Sequence, residues 1–302
     1  MTTPAELLKQ VDELGMLIDQ VIPKPKPEPS SLIVGVNGGS LSGRQGELIG
    51  KGIRSERLEL PTTFSQLTLA QSKANGFTNQ TVIIGNVDDG TLLSNVNSVS
   101  WRANALEQAR LCQQAGGVAL LECINEPQFK GGRKDPATYG AMYCALKRAL
   151  REASITIPLG FTLFGNYQRS NGEWARMDWL KDAVKANPEL PSLTDCLVHH
   201  TYGKAGEDLE GNLGTQALEE EHQEAIALGF PSETYVTEMG FQIGSPPNYK
   251  TVGDETEQAA QIGAVMAKLK SLGYVKGIWP YAMTDGAWSL KPPALNVIAS
   301  FA

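Results

Sequence analysis

The chain is short of the residues that mark several functional classes. It has three histidines, two of them adjacent, and four cysteines. Cys112, Cys123, Cys144 and Cys196 follow neither metal-ligand spacing nor the framework of a small secreted domain. Buried, reduced thiols are expected instead. So few histidines make no chelating cluster, so no metal is expected. No Gly-x-Gly-x-x-Gly follows the first strand-like run; Val36-Asn37-Gly38-Gly39-Ser40 is glycine-rich without that spacing. No organic cofactor is expected either. Positive charge is in deficit: 26 Lys and Arg face 33 Asp and Glu, a net charge of −7. A nucleic-acid partner would call for a basic patch. No run approaches the ~20 apolar residues of a membrane span. The start, Met1-Thr2-Thr3-Pro4, has no basic stretch leading into an apolar one. The expectation is a cytoplasmic protein, with release by lysis or an atypical route left open.

What is present is ordinary globular material, 41% hydrophobic and 20% charged. Residues 4–22 read as an amphipathic helix, with Leu7, Leu8, Val11, Leu14, Leu17, Ile18 and Val21 at helical spacing. Pro23, Pro25, Pro27 and Pro29 then make an extended spacer. Residues 1–30 are thus expected to be an appendage. Its helix either self-associates, attaches to a carrier or packs back on its own domain. From residue 31 onward strand and helix patterns alternate. Strand-like runs cover 32–36, 53–60, 81–85, 118–124, 157–163, 196–201, 234–237 and 277–281. Helical patterns cover 62–75, 101–115, 137–153, 174–186, 215–228, 255–272 and a short 293–301. The first crossover, around 41–50, is glycine-rich and only weakly helical. Eight β/α units imply a parallel sheet with right-handed crossovers. In about 270 residues they fit a (β/α)₈ TIM barrel better than an open doubly wound sheet.

Active sites of such barrels lie at the C-terminal strand ends. Two glutamates stand there. Glu126 closes Leu120-Leu121-Glu122-Cys123-Ile124-Asn125-Glu126-Pro127 after run four, and Glu238 closes Tyr235-Val236-Thr237-Glu238 after run seven. Two carboxylates on one rim are the minimum apparatus for cleaving a glycosidic bond. None of the eight runs ends in lysine, which disfavours Schiff-base chemistry.

These segments resemble the retaining glycoside hydrolases of clan A. Asn125-Glu126-Pro127 is similar to the clan's strand-four motif, and Thr237-Glu238 before Gly240-Phe241 to its strand-seven segment. The resemblance implies Glu126 as acid/base, Glu238 as nucleophile and Asn125 as holder of the sugar 2-hydroxyl. Glu122 matches a recurrent acidic position of strand four. His200 and Tyr202 resemble the strand-six His-x-Tyr, whose tyrosine hydrogen-bonds the nucleophile. Arg57 resembles the strand-two arginine paired with the nucleophile, preferred over Arg54 because alternation sets it with Ser55 and Glu59. Trp279 resembles the aromatic platform under the sugar, although Pro280 beside it disturbs the register, and Trp288 stands as a second candidate aromatic. His199 points away from His200 and is read as structural. Asn86, Asp88, Asp89, Asn166 and Tyr167 are either hydroxyl contacts or turn formers.

The expected activity is double displacement on a β-linked oligo- or polysaccharide, endo-acting and mannanase- or glucanase-like. For this, Glu126 needs a raised pKa, and the two carboxyl groups should lie roughly 5–5.5 Å apart. The competing reading is a catalytically silent barrel that only binds carbohydrate.

Overall fold

The computed structural model describes residues 32–39, 42–59, 66–88, 91–127, 136–163, 178–203, 214–244 and 250–302. The N-terminal helix and proline spacer expected over 1–30 lie outside these residues, as do Asp89, Asn166, Tyr167 and Trp174. Leu32–Ala302 forms one compact unit.

Eight parallel strands close into a barrel. They are β1 (Ile33–Asn37), β2 (Ser55–Glu59), β3 (Gln80–Ile84), β4 (Val118–Cys123), β5 (Leu159–Thr162), β6 (Cys196–Thr201), β7 (Thr234–Met239) and β10 (Val275–Pro280), in the order β1-β10-β7-β6-β5-β4-β3-β2. A two-residue pair, β8 (Gln242–Ile243) and β9 (Thr251–Val252), follows β7. The principal crossover helices are α1 (Gln45–Gly50), α2 (Gln66–Ala74), α3 (Ser98–Ala115), α4 (Pro136–Glu152), α5 (Asp178–Ala186), α6 (Leu190–Leu193), α7 (Thr215–Ala227), α8 (Glu255–Ser271) and α9 (Pro292–Ala299). The glycine-rich first crossover does carry a helix, of six residues. Helix starts are set by side chains. Asn97 accepts from the amides of Val99 and Ser100 at the start of α3. At α8, Asp254 accepts from Glu257 N while Glu257 accepts from Gly253 N, a reciprocal cap that satisfies two otherwise free donors.

Alternation along each strand sorts side chains between the barrel interior and the helical layer. On β5, Phe161 faces outward, where Tyr139, Tyr143, Trp179 and Phe230 surround it at centroid distances of 5.0, 5.1, 6.1 and 5.6 Å. The buried tyrosine hydroxyls bind strand carbonyls, Tyr139 to Cys123 O and Tyr143 to Leu159 O. A second apolar layer joins β1, β7 and β10 to α8 and α9. All four cysteines are free and buried. Burial pushes the Cys112 thiol up to about 12 and that of Cys144 up to about 11, so neither offers a nucleophile near neutral pH.

The interior is filled by Trp279. Its side chain is 0% exposed, and its indole N–H donates to Ser55 Oγ at 3.0 Å. Gly35 on β1 and Gly277 on β10 make the room, since a Cβ at either would collide with the indole. Phe161→Ala should cost about 3–5 kcal/mol, as expected for a buried aromatic. Urea denaturation measures it; a loss below about 1 kcal/mol would show that the outer aromatic layer does not carry the fold.

Candidate active site

Arg57 points inward at the C-terminal end of β2, and all five of its N–H donors are used. Nε and Nη2 bind both oxygens of Glu122 at 2.8 and 2.7 Å. Nη1 reaches Asn37 Oδ1 at 2.9 Å and Glu238 Oε1 at 2.6 Å. Nη2 also reaches Asn125 Oδ1 at 2.7 Å. Arg54, the alternative arginine, is exposed. Asn37 turns its amide nitrogen the other way, to Thr237 O at 3.0 Å and Trp279 O at 2.9 Å. It therefore bridges β1 to β7 and β10. Sequence reasoning passed over Asn37 as part of a glycine-rich turn; its position at the end of β1 was the available signal.

Two departures from regular strands aim the glutamates. On β7, Val236 pairs with His199 and Glu238 with His200, so Thr237 is an extra residue. The partner on the other side shows the same excess, Ile278 with Val236 and Pro280 with Met239. Val236 lies in the outer core. Strict alternation would send Glu238 the same way, and the bulge turns it inward instead. Past β4, Ile124 and Glu126 have positive φ of 59° and 45°. Such backbone costs on the order of 1–3 kcal/mol per residue and is unusual for a β-branched side chain. It places Ile124 in the outer core while Asn125 and Glu126 both reach the rim. Asn86 Oδ1 holds the segment by accepting from Asn125 N at 3.2 Å, a positioning contact.

His200 sits among three carboxylates. Nδ1 lies 3.1 Å from Glu126 Oε1 and 3.5 Å from Glu238 Oε2, and Nε2 lies 3.5 Å from Glu122 Oε1. Tyr202 donates its hydroxyl to Glu238 Oε2. One oxygen of Glu126 and one of Glu238 are within 4.8 Å of each other. His199 faces outward and pairs with Glu221 of α7.

Trp279 is not the rim aromatic expected from its residue type. The indole is spent inside the barrel, two residues below the mouth. Tyr281, half-buried, takes the rim position, next to a cis peptide bond to Ala282. Its ring is 6.5 Å from Tyr202 and 6.2 Å from Trp288, and Trp288 is 5.3 Å from Tyr202. Of these three rings Tyr202 touches the Glu238 carboxylate, and the other two, Tyr281 and Trp288, are the ones the sequence left aside or second.

The electrostatics differ from expectation at Glu126. Burial works to raise its pKa, but the hydrogen bond and charge of His200, then the charge of Arg57, outweigh burial, and the net direction is down. Burial also opposes a charge on His200; Glu238, Glu122 and Glu126 outweigh it and raise its pKa to about 10. At Glu122 burial is overcome chiefly by Arg57, leaving the carboxyl at about 2. Glu126, His200 and Glu238 are close enough to grip a cation. Near neutral pH the proton on His200 competes for that place, since a metal takes the neutral imidazole.

These shifts fix a stability profile. The depressed Glu122 stabilises the fold above about pH 4.5, and that share is lost as pH falls through about 2. The raised His200 stabilises below about pH 6.5, and its share is lost as pH rises through about 10. Denaturation free energies measured across pH should fall on both sides. His200→Gln should remove the alkaline fall; an unchanged alkaline limb in that variant would refute the ion cluster.

No protein-family model matches the chain. No curated protein matches it either. Solved structures do match. A β-glycosidase, BGL167, superposes with a TM-score of 0.62 at 14% identity, covering 91% of this chain and 97% of that one. A GH128 (subgroup I) endo-β-1,3-glucanase from Amycolatopsis mediterranei, in complex with laminaritriose, gives 0.54 at 16%, covering 89% and 98%. A glucosidase from Croceicoccus marinus gives 0.60 at 13%, covering 92% and 67%. At such identities the likeness establishes the fold: this chain is a (β/α)₈ barrel of the kind these glycoside hydrolases use.

Proposed function

We propose that the chain is a retaining glycoside hydrolase of clan A type that cleaves β-linked glycans by double displacement. The observation that carries this reading is the approach of Glu126 and Glu238 to within 4.8 Å on one rim. Inverting enzymes need roughly 6.5–9.5 Å to admit a water between their carboxylates, whereas retaining ones stand about 5–5.5 Å apart. Glu238 is the nucleophile: Arg57 and Tyr202 each fix one of its oxygens. Glu126 is the acid/base.

With the cleft empty, the proton shared by Glu126 and His200 rests on His200. Moving it across the 3.1 Å contact from Nδ1 to Oε1 arms Glu126 without any change in the net charge of the cluster. Glu126 then protonates the leaving oxygen as Glu238 attacks the anomeric carbon. Once Glu238 is esterified, His200 has lost one of its carboxylate partners. Glu126, as carboxylate, then takes a proton from the incoming water, whose oxygen bonds the anomeric carbon as the ester bond to Glu238 breaks, and the proton returns to His200. Asn125 Oδ1 is anchored on Arg57, and Nδ2 bonds no described residue. The amide is thereby oriented to donate to a sugar 2-hydroxyl. The endo-β-1,3-glucanases among the structural neighbours support a glucanase over a mannanase. The completeness of the acid, nucleophile and buried supporting groups disfavours a silent binding barrel.

Hydrolysis of β-1,3-glucan, β-1,4-glucan and β-mannan by wild type and Glu238→Gln tests the activity. The variant should be nearly inert. Glu126→Ala should lose about 10²–10⁴-fold on substrates with poor leaving groups, and azide should trap its intermediate as the β-glycosyl azide. Proton NMR should show the β-anomer as first product. An α-anomer, or turnover by Glu238→Gln equal to wild type, would sink the reading.

The aromatic assignment has its own test. Tyr281→Ala should raise KM about tenfold, the size of one lost ring contact. Trp279→Phe should lower the melting temperature and leave KM near wild type. The reverse pattern would restore Trp279 as the platform.

A further inference from the structure

A cavity of about 350 Å³ opens on one side of the mouth, lined by Asn37 and Gly38 after β1, Arg57 and Leu58 of β2, and Tyr281, Ala282, Thr284 and Asp285 after β10. In the closed strand order β10 stands four places from β4, across the barrel from Glu126. A general acid faces the leaving group. The opposite side therefore receives the glycone.

Asp285 is held in place there. Its amide donates to Ser289 Oγ at 3.0 Å, its carbonyl accepts from Trp288 N at 2.8 Å, and its Oδ2 accepts from Tyr281 Oη at 2.7 Å. Oδ1 accepts from no described residue, and Asp285 is exposed on the cavity lining. Among the described residues lining the cavity the one cation is Arg57, and its five donors are all engaged. A ligand carboxylate in this pocket would meet the like charge of Asp285, and Arg57 has no donor left to offset it.

We propose that this pocket is a glycone subsite selective for uncharged sugars, with Asp285 as the specificity-determining residue. Oδ1 accepts a sugar hydroxyl over the Tyr281 ring, and the same carboxylate repels a uronate. The inference rests on the assignment of Glu126 as the acid, which sets the glycone side.

Calorimetry with Glu126→Gln, which binds without turning over, provides the test. The ligands are β-1,3-glucopentaose and its C6-oxidised, uronate form, at physiological salt. The neutral ligand should bind at least tenfold more tightly. Adding Asp285→Asn should narrow that gap about tenfold, the effect of removing one like charge a few ångströms away in a partly solvated cleft. Asp285→Ala should weaken the neutral ligand about tenfold. Tyr281→Phe, which keeps the ring and frees Oδ2, should weaken it less than Asp285→Ala does. Equal affinity for both ligands, no binding of either, or an unchanged gap in Asp285→Asn would each overturn the inference. Turnover of β-1,3-glucan by the wild-type chain is measured beside it. Discrimination without turnover would remove the hydrolase reading and with it the glycone assignment, leaving Asp285 as a selector of uncharged sugars in a binding cleft; turnover without discrimination would overturn this inference alone.

Discussion

The buried guanidinium of Arg57 is the constraint on which the rest of the site depends. Burying a cation costs several kcal/mol unless geometry and hydrogen bonds compensate. Here every N–H has an acceptor, and the acceptors come from three places in the chain: Asn37 at the end of the first strand, Glu122 and Asn125 around the fourth, and Glu238 on the seventh. A forked, planar donor set can meet a carboxylate side-on and still serve two further groups, which an ammonium cannot. The arginine thus does two things at once. It neutralises the fully buried Glu122, and it fixes the position of Glu238. Removing it would strand two buried carboxylates, so its role in stability and its role in chemistry are inseparable.

His200 completes the charge balance. Three carboxylates face two cations within a few ångströms, and a proton on the imidazole leaves the cluster one charge short of neutral. The same proton on Glu126 leaves it unchanged. The energetic question in the resting site is therefore where one proton sits, and a 3.1 Å contact makes that a local transfer. Water-poor surroundings strengthen each of these interactions. The left-handed backbone at Ile124 and Glu126 belongs to the same logic. Strain of this kind persists only where neighbours over-determine it, and here Arg57, Asn86 and His200 each hold part of the segment.

The barrel was legible because its signal is periodic. Eight apolar runs separated by amphipathic helices specify alternation and order, and a closed parallel sheet is what those can build. The approach of Glu126 to Glu238 was expected from the strand ends, and the contacts of Arg57, His200 and Tyr202 with them from the resemblance to clan A. Three features escaped because they break the period. The extra residue at Thr237 reverses the face of Glu238, and a strict count of two would have buried that carboxylate among the outer helices. Asn37 carries no motif; its importance comes from carbonyls two hundred residues away. Trp279 was assigned by residue type to a rim that Tyr281 occupies, and the clue lay elsewhere, in the glycines at 35 and 277 whose missing side chains make its volume fit. Residue type names a function only when packing leaves that residue free to perform it.

That distinction explains how a chain can share so little sequence with the barrels it superposes on. The interior asks for volume and alternation, and many side-chain sets satisfy both; an indole over two glycines is one solution among several. The rim asks for specific polar groups, because each buried donor or acceptor there needs a named partner. Asn37, Arg57, Glu122, Asn125, His200, Tyr202 and Glu238 form a single bonded set, so loss of one leaves others unpaired. In the rim loop after β10, Met283 and Leu290 pack into the core, but Asp285 between them is exposed and its Oδ1 bonds nothing in the described chain. What such a residue contributes must be sought in the ligand, which is why ligand preference is better read from the loop after the last strand than from the two paired carboxylates.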